Sequence, residues 1–155
     1  MLIMKAEEAD LEEILELQRK AFVVEAVIYN DYTIQPLRQT IEDLKSEYET
    51  QTLLKAVVEE NRIAGSVRAF FNGDTCYIGR LIVHPDFQNK GIGTSLLCEA
   101  EQMFKECRRF ELFTGHLSKK NLYLYGKKGY KIFKSQVINE KLTMMYLEKM
   151  NGFGS

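Results

Sequence analysis

The spacing of apolar positions changes several times along this chain, and each change marks the boundary of an element. Leu2 to Ala6 reads as a first strand. Asp10, followed by Glu13, resembles a capping box that opens a helix with Leu11, Ile14, Leu15, Gln18 and Phe22 on one face, and that helix is expected to end near Phe22. Val23 to Gln35, rich in aromatic and β-branched residues, reads as a connector. After Pro36 the helical period resumes, with Leu37, Ile41, Leu44 and Tyr48 predicting a second helix. Three strands follow, Thr52 to Glu59, Ile63 to Phe71 and Thr75 to Val83. Asn72-Gly73-Asp74 between the last two is a tight-hairpin signal, because Asn and Gly accept positive φ, so the three strands form an antiparallel meander.

From Gly91 the period turns helical again, with Leu96, Leu97, Ala100, Met103, Phe104 and Cys107 on the core side, and Phe110 to Thr114 returns as a strand. Asn121 to Lys128 predicts a short helix, and Tyr130 to Ile138 with Leu142 to Leu147 predicts a last hairpin around Asn139-Glu140. The resulting order, β-α-α-β-β-β-α-β-α-β-β, has no internal repeat and no linker. It sets one βαβ unit among antiparallel neighbours, which predicts a single α/β domain of the α+β kind over residues 1–150. Asn151-Gly152-Phe153-Gly154-Ser155 reads as a flexible tail.

The βαβ unit carries the most informative segment, Val83-His84-Pro85-Asp86-Phe87-Gln88-Asn89-Lys90-Gly91-Ile92-Gly93-Thr94, which runs from a strand through a glycine-bearing loop into a helix. The first backbone N–H groups of a helix have no partner inside it, so with the positive end of the helix dipole they can grip a phosphate oxygen. Gly91 and Gly93 let a ligand come close to that backbone. A purely structural loop also favours glycine at such a place. A nicotinamide fingerprint does not fit, because Leu96 stands where the third glycine would fall, and a Walker loop would need Gly-Lys-Ser/Thr.

Gln88-x-x-Gly91-x-Gly93, preceded by Val83-His84-Pro85-x-Phe87 and followed by Leu96-Leu97, resembles the acyl-CoA-binding signature of the GNAT superfamily of N-acetyltransferases. Thr114-Gly115-His116-Leu117-Ser118-Lys119-Lys120-Asn121-Leu122-Tyr123-Leu124-Tyr125-Gly126-Lys127-Lys128-Gly129-Tyr130 resembles the other recurrent stretch of that family. The element order is also the one expected of the GNAT fold, a mixed, mostly antiparallel central sheet flanked by helices.

The resemblance implies an N-acetyltransferase that moves an acetyl group from acetyl-CoA to a primary amine by direct attack in a ternary complex, with no metal. It implies that Gln88, Asn89, Lys90, Gly91, Ile92, Gly93 and Thr94 cradle the pyrophosphate, and that Leu81, Ile82 and Val83 offer backbone to the pantetheine arm. Ser118 and Asn121 become its polar contacts, and Tyr125 the general acid beside the sulfur. Many relatives carry Asn seven positions before the tyrosine, where this chain has Ser118; Asn121, four before it, is the alternative. A phenol suits the acid, since its pKa of about 10 keeps it protonated at pH 7 while the departing thiol has a pKa of about 8.5.

The base is left open among Glu111, His116, Glu25 and a water chain, because the position that supplies a glutamate in some relatives is Phe113 here. His84 reads as structural. Cys98 and Cys107 read as small core residues on the buried side of the cradle helix, and Cys76 as strand packing. Tyr29-Asn30-Asp31-Tyr32 and Ile138-Asn139-Glu140 fall where relatives select the acceptor, but nothing in them names the amine. Gly91→Val is expected to abolish acetyl-CoA binding with little loss of fold.

Charge and composition remove other classes. With 28% charged residues and a formal net charge of -1, nothing draws the chain toward nucleic acid or an acidic membrane. Three cysteines without metal-ligand spacing argue against a disulfide framework and fit a reducing compartment, so a cytoplasmic location is expected. No stretch approaches the roughly 20 apolar residues of a membrane span. The C-terminal hairpin leaves an edge through which a homodimer is possible. The rival reading is a non-catalytic acyl-CoA-binding or sensing module of the same fold; a nucleotide-binding protein is remote, as no Lys-Ser/Thr pair or acidic ribose anchor follows the glycines.

Overall fold

The structure is a computed structural model in which residues 1–152 are described. Seven strands, β1 (Leu2–Lys5), β2 (Thr52–Val58), β3 (Arg62–Asn72), β4 (Thr75–Val83), β5 (Arg109–Gly115), β6 (Lys131–Val137) and β7 (Thr143–Met150), form one sheet in the order β1-β2-β3-β4-β5-β7-β6. The β4–β5 pair alone is parallel, as the βαβ reading requires. Five helices flank the sheet: α1 (Leu11–Tyr29), α2 (Gln35–Arg38), α3 (Ile41–Thr50), α4 (Ile92–Met103) and α5 (Lys119–Lys127). Leu96, Leu97 and Ala100 of α4 are buried in a core with Val67, Ala69, Ile78 and Phe110. Leu11, Ile14 and Leu44 of α1 and α3 are buried with Leu53, Ile63 and Ile82 in a second core. Among the described residues no helix is long and apolar enough to cross a membrane.

Several expected boundaries move, each for a physical reason. α1 does not end at Phe22 but runs on through Val23–Val27 to Tyr29, absorbing the first half of the expected connector. Burial of Ala26 and Tyr29 outweighs the few tenths of a kcal/mol that each β-branched residue costs a helix. Asn30, at φ +49°, is the left-handed stop. Asp10 does not cap α1: its carboxylate takes the Glu7 N–H at 2.7 Å and the Lys55 ammonium at 2.7 Å, while Glu13 takes the Ile63 N–H at 2.9 Å. The second expected helix is two, because Gln39 is extended and Thr40 with Asp43 forms a true capping box opening α3.

On α4, Cys98 is exposed rather than buried, Met103 is exposed, and buried Cys107 lies beyond the helix end. Asn151, where the flexible tail was expected to begin, is held by its amide donating to the Lys105 and Cys107 carbonyls at 2.6 and 2.7 Å. Residues 153–155 of that tail lie outside the described residues.

Gln18, expected on the apolar face of α1, is fully buried because β3 places Arg68 beneath it. The Arg68 guanidinium donates to Gln18 Oε1, to Gln39 Oε1 at 3.2 Å and to Glu47 at 2.7 Å. Gln18 in turn donates to Gln39 and to the Pro36 carbonyl, each at 2.9 Å. Burial brings the Arg68 pKa down to about 10, against the pull of Glu47. This network ties α1, α2 and α3 to the sheet and so fixes the α1 wall over β4.

Candidate active site

β4 and β5 pair only from Thr75 to Tyr77, opposite Arg109 to Glu111. Beyond Tyr77 they part. Each stays held on its outer edge, β4 by β3 up to Val83 and β5 by β7 from Arg109 to Gly115, so the gap between Ile78–Val83 and Leu112–Gly115 is built in. Two cavities fill it. One, about 730 Å³, lies toward the start of α4; the other, about 550 Å³, lies toward the α1–α2 connection and the β6–β7 hairpin. Phe22, Glu25, Leu81, Ser118 and Asn121 line both, so the cavities meet there.

The larger cavity is lined by Leu81, Ile82, Val83, Gln88, Asn89, Gly91, Ile92, Gly93, Thr94, Ser118 and Asn121, which is every sequence-selected cofactor-site residue except Lys90. Lys90 lies outside the lining, its ammonium 5.3 Å from the centre of the Phe87 ring. Gln88 closes the loop by donating to the Val83 carbonyl at 2.9 Å. The first hydrogen bond of α4 runs from Ser95 N–H to the Gly91 carbonyl at 3.0 Å, so the N–H groups of Ile92, Gly93 and Thr94 have no partner in the helix. Gly91 itself sits at φ +79°, and a Cβ there would meet no atom within 4 Å, so open space stands in front of those donors. They can receive an anionic oxygen.

Two further cations line this cavity that sequence reasoning passed over, Lys119 and Lys120 in the first turn of α5. Lysines at the positive end of a helix dipole are poorly placed unless an anion joins them, and that misplacement was the available signal.

The smaller cavity is walled by Phe22, Glu25 and Tyr29, at i, i+3 and i+7 on α1, by Phe113 and Thr114 of β5, and by Ile138 and Asn139 of the last hairpin. Tyr125 lines it too. Burial, with the Glu25 charge adding to it, raises the Tyr125 phenol well above the ordinary tyrosine range, and among the described residues nothing hydrogen-bonds its hydroxyl. It holds a proton and faces open space.

Ser118, the buried residue preceding α5, donates to Glu25 Oε2 at 2.8 Å, and the Tyr29 hydroxyl lies 2.7 Å from the same Ser118 oxygen. Asn121 donates to Thr114 Oγ1 at 3.2 Å. Of the base candidates, Glu111 is paired with Arg109 at 2.8 Å and lines neither cavity. His116 lines neither as well; its Nδ1 accepts the Thr143 N–H at 2.9 Å. Glu25 is the one at the junction. Among the described residues no group of three or more His, Cys, Asp or Glu side chains is arranged to hold a metal ion.

Known proteins share this architecture. The PaiA N-acetyltransferase of Thermoplasma acidophilum, solved in complex with coenzyme A, superposes with a TM-score of 0.80 at 21% identity, over 96% of this chain and 98% of that one. A ribosomal-protein-alanine N-acetyltransferase from Brucella melitensis superposes with a TM-score of 0.76 at 18% identity, over 97% of this chain and 99% of that one. In sequence, the Bacillus subtilis (strain 168) protein named Uncharacterized protein YxbD is 33% identical over 76 residues, 48% of this chain and 46% of that protein's length. The model of the Acetyltransferase (GNAT) family matches residues 11–130, most of the length, and the chain belongs to that family.

Proposed function

We propose that this protein transfers an acetyl group from acetyl-CoA to a primary amine by direct attack, both substrates being bound at once. The observation that carries this reading is the parting of β4 from β5, which joins two cavities at Glu25, Ser118 and Asn121 beneath the free N–H groups of α4. The pyrophosphate of acetyl-CoA lies on the N–H groups of Ile92, Gly93 and Thr94, with Lys119 and Lys120 adding charge. The pantetheine arm runs along Leu81, Ile82 and Val83 toward Ser118 and Asn121. The coenzyme A bound by the Thermoplasma relative supports the same choice of cosubstrate.

The amine enters through the smaller cavity. Glu25 takes one proton from the ammonium and passes it to solvent, the neutral nitrogen attacks the thioester carbon, the C–N bond forms, the C–S bond breaks, and the nitrogen sheds a second proton through Glu25 to solvent to leave the amide. Tyr125 hydrogen-bonds the departing sulfur and gives it a proton, which the hydroxyl regains from solvent. A phenol is protonated at neutral pH even without burial, so a donor is always present. Holding the two substrates in line contributes several kcal/mol through entropy already lost on binding. The test is turnover of acetyl-CoA with a panel of amines, comparing wild type with Tyr125→Phe. Loss of about 10²–10⁴-fold in kcat with acetyl-CoA affinity retained is expected; a wild-type rate in the variant returns Tyr125 to packing.

A further inference from the structure

The smaller cavity carries a cation that the proposed chemistry does not use. Opposite Val67 the ladder slips: Ser66 pairs with Ile82 but Arg68 with Gly79, so Arg80 and Leu81 form a β-bulge, and Arg80 adopts φ +49°. A bulge of this kind re-aims a side chain. Arg80 is turned into the lining of the cavity, where its guanidinium donates to Gln35 Oε1 and lies 5.8 Å from the centre of the Phe22 ring. Its Nε is buried with no partner, and among the described residues it makes no ion pair. The carboxylate that opposes its charge, Glu47, is already committed to Arg68 at 2.7 Å and to Gln39 at 2.6 Å. Two largely buried guanidiniums thus share one carboxylate, which leaves a positive charge in want of a counter-ion.

Arg38 and Asp31 line the same cavity as well, and the Asp31 carboxyl, lowered in pKa chiefly by its hydrogen bonds from Thr33 and in part by the Arg38 charge, opposes that cation; the negative group at the junction with the larger cavity is Glu25. Of the two arginines Arg80 is therefore the one that no carboxylate of the cavity lining is shown to oppose. A diamine could meet Glu25 and Asp31 but would leave Arg80 without a counter-ion.

We propose, on top of the acetyl-transfer reading, that the acceptor is an amine that also bears a carboxylate, a free amino acid or close analogue, with Arg80 as the residue that binds the carboxylate. A planar guanidinium with unused donors matches a carboxylate in two parallel hydrogen bonds and completes the missing ion pair. The ammonium end then faces Glu25 and Tyr125.

The experiment compares kcat/KM, with acetyl-CoA saturating, for free L-amino acids, for the matching carboxamides, and for 1,4-diaminobutane. Acetyl-CoA binding is measured separately by calorimetry. Free amino acids are expected to exceed their carboxamides by about 10- to 100-fold, mostly in KM, as for loss of a hydrogen bond to a charged group. In Arg80→Asn, chosen because asparagine tolerates the left-handed backbone, that ratio falls toward one. Equal or better turnover of carboxamides or the diamine by the wild type overturns the carboxylate site, and the wild-type comparison needs no variant to fold. If acetyl-CoA binds and amines are turned over without a carboxylate preference, acetyl transfer stands and this inference falls. If acetyl-CoA does not bind, both fall.

Discussion

Ser118 gives its one hydroxyl hydrogen to Glu25, Oγ to Oε2 at 2.8 Å. The Tyr29 hydroxyl, 2.7 Å from Ser118 Oγ, must then be the donor in that pair, and it accepts in turn from the Leu117 N–H at 3.0 Å. Every hydrogen in the chain Leu117, Tyr29, Ser118 points toward the Glu25 carboxylate. Such a relay fixes that carboxylate at the junction of the two cavities and polarises successive bonds.

Ser118→Ala removes the last link and leaves Tyr29 without its acceptor. Steady-state kinetics should show kcat lowered by about 10- to 100-fold, the worth of a hydrogen bond to a charged group, with a smaller change in acetyl-CoA affinity. Unchanged kcat would detach Glu25 from catalysis.

Gly115 is where it is because Tyr29 lies on it. A Cβ at Gly115 would fall 2.0 Å from Tyr29 Oη and 2.6 Å from Cζ. Gly115→Ala should therefore cost about 1–3 kcal/mol, read as a melting point lower by several degrees. Tyr29→Ala in the same chain removes the two shortest contacts, leaving Leu142 Cδ1 at 2.9 Å, so the double variant should be more stable than the sum of the single effects. Strict additivity would refute the contact.

Gly91 corrects an expectation. The space in front of it is open, as the cradle reading requires, but φ +79° penalises any side chain and a β-branched one most. Gly91→Val should lose stability as well as acetyl-CoA affinity, contrary to the idea that the fold would be spared. Gly91→Asn separates the two, since asparagine accepts the backbone yet fills the space. Calorimetry should find its affinity at least tenfold weaker at a nearly unchanged melting point, and wild-type affinity would count against the cradle.

Alkali should weaken the fold earlier than tyrosine ionisation alone would. Burial, with Cys107 beside it, pushes the Cys76 thiol up to about 12. Between about pH 9 and 10 the unfolded chain has lost that proton while the folded one keeps it, so the folded state binds more protons and stability falls as pH rises. The slope reaches at most about 1.4 kcal/mol per pH unit for one group. Denaturant titrations at pH 8, 9 and 10 should show the decline, and Cys76→Ala should flatten it.

Much of this architecture was legible in the chain because it rests on local signals. The meander, the βαβ unit and the glycine loop each follow from period changes and residues suited to one conformation, such as Gly73 at φ +68° in the β3–β4 turn. What escaped depends on partners distant in sequence. The Val23–Val27 run looks unhelical until Tyr29 and Ala26 find their places against the core, and with it escaped the whole α1 wall of the acceptor cavity. Gln18 passed for an apolar-face residue because Arg68, its partner, lies fifty positions on. Arg80 carried no motif at all, since its role arises from a bulge that only strand register reveals. Cys98 was misplaced because a cysteine serves as well on the outside of a helix as within.

If the gap between β4 and β5 holds acetyl-CoA, the wild-type protein unfolds at a higher temperature in its presence. Melting points are taken with acetyl-CoA, with CoA and with ATP. A ligand at about 100 times its dissociation constant adds about 2.7 kcal/mol, so both CoA species should raise the midpoint by roughly 5–10 °C and ATP should leave it in place. No shift with either CoA species, or an equal shift with ATP, would mean that the gap is not an acetyl-CoA site.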